Sequence, residues 1–94
     1  MMNVAQIIET KLREALRIHH LVVENQSAQH SGHSSSPQTG HSHFQALVVS
    51  EDFEGLSRVQ RQRKVYQILQ AEMAGPIHAL ALTTITPAEQ ASQA

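Results

Sequence analysis

The sequence predicts an α+β domain in which one three-stranded sheet carries helices packed on one face. Three observations lead there. Residues 3–17 place apolar side chains at helical spacing, residues 19–25 and 43–49 are strand segments (the second the better of the two), and residues 57–84 pass from helical spacing back to alternation. Two apolar helix stripes need a surface to cover, and a single sheet face is the economical one. The 94 residues form one domain with a small core and a modest stability margin.

Residues 3–17 read as the first helix. Val4, Ile7, Ile8, Leu12, Ala15 and Leu16 make one apolar stripe, while Glu9, Lys11, Arg13 and Glu14 lie off it. Asn3 is the expected N-cap, with Gln6 completing a capping box. Residues 19–25 hold Leu21, Val22 and Val23, a short strand. Its two opening histidines, His19 and His20, must face opposite ways in a regular strand and read as solvated edge residues. Residues 26–42 have almost nothing apolar to bury and are expected to form a mobile, His-rich surface loop.

The second strand, residues 43–49, sets Phe44, Ala46 and Val48 on one face and His43, Gln45, Leu47 and Val49 on the other. Its approach through a long loop suits an antiparallel neighbour. A turn at residues 51–55 ends in Gly55, and Ser57 with Gln60 forms a second capping box. Val59, Val65, Tyr66, Leu69 and Met73 are expected on the buried side of the helix that follows, which Gly75 and Pro76 stop. Residues 77–84 are the last strand, opened by His78, and the intervening helix lets it run parallel to its predecessor. Thr86, Pro87 and Glu89 supply cap, first-turn proline and N3 acid for a short closing helix, with residues 90–94 expected to fray.

Composition removes several functions. The chain has no cysteine, so disulfides, thiol catalysis and a self-built thiolate metal site are excluded. Charged residues are 16% of the chain and formal net charge is −1, giving no global pull toward nucleic acid or anionic lipid. No basic leader with an apolar run is present and no stretch approaches a membrane span, so a soluble, cytoplasmic protein without membrane contact is expected. Seven histidines stand against one Tyr, two Phe and no Trp, so surface charge should depend on pH near 6.

Two sets of residues carry chemistry. His30, His33, His41 and His43 crowd the loop and its exit, a compositional metal signal without a fixed finger or HExxH spacing; a His-rich linker is the bland alternative. His78 stands apart at the start of the last strand. Arg58, Arg61 and Lys64 fall on one flank of the second helix, with Arg63 elsewhere, and read either as a solvated face or as a phosphate or partner-docking surface. No nucleophile–base–acid set stands out, so an enzyme is not expected.

The helix–strand–strand–helix–strand (αββαβ) order resembles a type II KH arrangement. The residues Ser42-His43-Phe44, Val49-Ser50, Phe53-Glu54-Gly55, Arg61-Gln62-Arg63, Val65-Tyr66, Ile77-His78-Ala79-Leu80 and Thr86-Pro87 resemble the pattern of BolA-like proteins across about residues 3–89. The family usually has Arg-His-Arg in the helix; Gln62 departs from it, which bears on any docking or nucleic-acid contact that histidine makes in relatives. The resemblance implies a KH-like fold and a heterodimer with a monothiol glutaredoxin. In that picture the two proteins hold a [2Fe–2S] cluster, with thiolates from the glutaredoxin and glutathione and histidine from the BolA-like chain. The cluster is absent from the isolated chain, which is then a monomer or weak dimer. Carried onto this sequence, the ligands are His78 and the loop residue His33, with His30 in reserve.

Two other readings stay open. A KH-like regulator would bind DNA, but KH recognition uses a Gly-x-x-Gly loop, which glycines 32, 40, 55 and 75 do not form. Its support is then Arg58, Arg61, Arg63 and Lys64. Simple chelation of Zn²⁺ or Ni²⁺ by the loop histidines would survive loss of His78.

Overall fold

The computed structural model describes residues 3–26 and 43–92. The expected loop, apart from Gln26, lies outside the described residues, and His30, His33 and His41 lie there with it. The elements are α1 (Val4–Ala15), β1 (Ile18–Asn25), β2 (His43–Ser50), a 3₁₀ turn (Glu51–Phe53), α2 (Arg58–Ile68), α3 (Gln70–Ala74), β3 (Ala79–Ile85) and α4 (Pro87–Ser92). They form the α+β arrangement read from the sequence.

Both expected capping boxes are present. The Asn3 side chain accepts from Gln6 N at 2.8 Å while Asn3 N donates to Gln6 Oε1 at 2.9 Å. Ser57 and Gln60 repeat the exchange at 3.2 and 2.8 Å. Each box satisfies amide donors that a helix start leaves without partners. Thr86 and Glu89 form a third, starting α4.

The sheet has the order β1-β2-β3. β1 runs antiparallel to β2, with Leu21 opposite Val48, and β2 runs parallel to β3, with His43 opposite Ala79 and Val49 opposite Ile85. Phe44, Ala46 and Val48 of β2 meet Ile8 and Leu12 of α1, Val65 of α2 and Leu69 in one buried cluster. Phe53, the largest fully buried side chain, joins them from the 3₁₀ turn. That turn is fastened twice: Ser50 Oγ accepts from Asp52 N, and Asp52 Oδ2 accepts from Arg17 N at 2.8 Å. Gly55 follows with φ of 81°, a conformation an L side chain strains. Lys11 of α1 reaches Glu72 of α3 at 2.8 and 3.0 Å, tying two helices over the core.

Several details differ from the sequence reading. β1 starts at Ile18 and its register shifts between Ile18 and His20, so regular alternation does not hold across His19; both histidines are exposed. The long second helix is broken at Leu69, giving α2 and α3, although Leu69 N and Met73 N still donate four residues back. Gly75 has negative φ and is no left-handed cap, which leaves the stop to Pro76 and its missing N–H. Val59, expected on the buried side, is 59% exposed. β3 begins at Ala79, so His78 immediately precedes it. α4 runs through Ser92, past the point where fraying was expected. It packs against β2, and Val49 is fully buried although its parity is opposite to that of the core residues. Among the described residues no helix is long and apolar enough to cross a membrane.

Candidate functional site

The parallel register of β2 and β3 brings two histidines to one rim of the sheet. His43 is the first residue of β2, and His78 comes one residue before β3 and its register partner Ala79. Both side chains are exposed, their ring centroids are 5.2 Å apart and their planes are inclined by 33°. Neutral imidazole is a good ligand for iron, zinc and nickel. Among the described residues no group of three or more His, Cys, Asp or Glu is placed to hold a metal ion. A metal at this rim therefore needs donors beyond His43 and His78. The sequence reading singled out His78 and counted His43 among the four histidines of the loop and its exit, without pairing the two. A helix crossover between two parallel strands puts both strand starts at the same end, which was the available signal.

The basic residues of α2 separate into two groups. Arg58, Arg63 and Lys64 are exposed, and Arg63 and Lys64 line a shallow groove with Leu56, Gln60 and Gln67. Arg61 is turned into the fold, with its side chain 12% exposed. Its Nε donates to Leu56 O at 3.0 Å, and Nη1 donates to Thr84 O at 3.2 Å. Nη1 and Nη2 also grip the two Glu89 carboxylate oxygens at 2.6 and 3.2 Å. The guanidinium hydrogen bonds, helped by Thr86 N–H, hold the Glu89 carboxyl at about 2, down from its ordinary 4.5. This forked contact fixes α4 to α2 and the end of β3. Arg61 thus differs from its three neighbours in what it can offer a partner.

Gln62 is also engaged. Its Nε2 donates to Leu82 O at 3.1 Å, while Tyr66 Oη donates to Leu80 O at 3.0 Å. With Arg61 on Thr84 O, α2 covers three alternate carbonyls of the edge strand β3. Gln62, between Arg61 and Arg63, thus serves the sheet edge.

A mixed three-stranded sheet in αββαβ order, with helices over its core face and imidazoles at an open rim, defines a small α+β domain. The chain belongs to the BolA-like protein family, whose profile matches residues 12–89. It is 40% identical over 92 residues to the DNA-binding transcriptional regulator BolA of Haemophilus influenzae, covering 98% of this chain and 85% of that protein. It is 45% identical over 82 residues to human BolA-like protein 1, covering 87% of this chain but 57% of the human protein. Among solved structures, BolA1 from Arabidopsis thaliana superposes with a TM-score of 0.83 at 36% identity, covering 95% of this chain and 97% of that one.

Proposed function

We propose that this chain is a non-catalytic partner of a monothiol glutaredoxin in the cytoplasm. The two proteins share a [2Fe–2S] cluster in iron–sulfur trafficking or in iron and redox regulation. The observation that carries the reading is the exposed His78 imidazole at the start of β3, in a chain of the BolA-like family. The chain fits the group by donor type: it has no cysteine, so it can bring nitrogen while sulfur comes from the glutaredoxin and glutathione. Imidazole in place of thiolate makes a bound cluster less negative and raises its potential, which suits transfer or sensing. β3 is paired along its length with β2, and His78 is the residue immediately before it. The second donor from this chain, by resemblance, is His33, with His30 in reserve; both lie outside the described residues.

The test is anaerobic reconstitution of a monothiol glutaredoxin with glutathione, titrated with this protein and followed by visible absorption and circular dichroism. The wild type reshapes the cluster spectrum and His78→Ala does not. His33→Ala and His30→Ala then report on the loop. An unchanged spectrum with the wild type sinks the reading.

The name of the Haemophilus relative favours a second reading, DNA binding through the exposed Arg58, Arg63 and Lys64. Three phosphate contacts give a log–log salt slope of roughly −3, which flattens when the three are replaced by alanine.

A further inference from the structure

His43 and His78 are held at the same end of a parallel strand pair, exposed, with ring centroids 5.2 Å apart. That spacing has a chemical meaning. In a tetrahedral site the metal sits about 2.0 Å from each imidazole nitrogen, with the ring centre roughly 1.1 Å further out. Two rings bound at a tetrahedral angle therefore have their centres about 5 Å apart. A plain aromatic contact spans about 4.5–7 Å, so the distance alone does not decide between the two. The backbone adds the second argument. One ring belongs to the first residue of β2, whose register partner is Ala79, and the other to the residue that immediately precedes Ala79. The two rings are already adjacent in the ion-free fold, so binding needs less rearrangement of the chain.

We propose that His43 and His78 form a two-imidazole clamp for one divalent transition-metal ion, which makes His43 the second nitrogen donor at the His78 site. Imidazole donors suit zinc, nickel, copper and iron, and two positions of a tetrahedral ion stay open to water or to a partner's ligands. The proposal shares with the cluster reading the assignment of His78 as a ligand, but it needs neither glutaredoxin nor glutathione. It also differs from chelation by the loop histidines, because it depends on His78.

The deciding experiment is titration of the full chain with Co²⁺ alone, read by visible d–d absorption, with far-ultraviolet circular dichroism confirming that each variant is folded. The wild type takes up one Co²⁺ per chain. His43→Ala and His78→Ala each weaken binding by about tenfold or more, whereas a His30→Ala/His33→Ala/His41→Ala variant stays within about threefold of the wild type. In a parallel Zn²⁺ titration by NMR, the ring protons of His43 and His78 shift together. Loss of binding in the triple variant with His43→Ala unaffected overturns the clamp, as does absence of Co²⁺ uptake by the wild type. Failure of the shared-cluster reading looks different: a protein that binds Co²⁺ through both histidines yet leaves the glutaredoxin cluster spectrum unchanged.

Discussion

The guanidinium of Arg61 meets both carboxylate oxygens of Glu89, while two further N–H groups donate to Leu56 O and Thr84 O. Glu89 is depressed to about 2 in the fold against 4.5 for an ordinary glutamate, so folding favours its ionised form. The stability this contributes is fully present above pH 4.5 and is lost as pH falls toward 2. Glu89→Gln is therefore less stable than the wild type at neutral pH, and the gap closes across that acid window. Urea melts of both proteins at stepped pH check it; a gap that persists below pH 2 would contradict the assignment. Because Glu89 is 45% exposed, added salt also narrows the gap. The local part of this arrangement was legible in the sequence, since Thr86 and Glu89 stand at capping-box spacing. The Arg61 contact was not, because its partner lies 28 residues away. Read alone, Arg61 is one more cation in a basic run.

At the scale of the element, α2 works as a cover for the free edge of β3. At 100° per residue, Val65 and Leu69 mark the buried azimuth, and Val59 lies about 120° from Val65, at the limit of the arc. This explains why Val59 is exposed despite fitting an apolar stripe. The same projection places Gln62 within the arc, about 20° from Leu69 and Met73, where a polar side chain needs a partner. The Leu82 carbonyl is that partner. Gln62→Ala and Tyr66→Phe each remove one edge hydrogen bond and should lower stability by about 0.5–1.5 kcal/mol in chemical denaturation. Uncovering an edge strand also invites strand pairing between molecules. Size-exclusion chromatography at rising concentration should show more association for the Gln62→Ala, Tyr66→Phe double variant than for the wild type. The helix periods and caps were readable because they are local. The break at Leu69 was not, because no proline or glycine marks it.

Across the whole molecule, β3 separates two kinds of work. Its start carries His78 beside His43, exposed and outside the buried cluster. Its end carries the Thr84 carbonyl in the Arg61–Glu89 contact that fixes α4. Six residues of strand put these ends about 20 Å apart, beyond the range at which substitutions usually couple. The predicted parallel crossover signalled that the two strand starts share an end, but the pairing of His43 with His78 needed the register, and the Arg61–Glu89 contact needed the packing of α4 on α2. The separation makes the rim free to change without disturbing the fold. In urea denaturation at neutral pH, His78→Ala should cost little, Glu89→Gln should lower stability, and the double variant should equal the sum within about 0.5 kcal/mol. Co²⁺ uptake should show the complementary pattern, weakened by about tenfold or more with His78→Ala and unchanged with Glu89→Gln. A coupling above about 1 kcal/mol, or weakened metal binding in Glu89→Gln, would mean that β3 transmits strain between the two ends. Additivity would instead make the histidine rim a site carried by a scaffold whose stability is set elsewhere, so that metal affinity and fold stability can be altered independently.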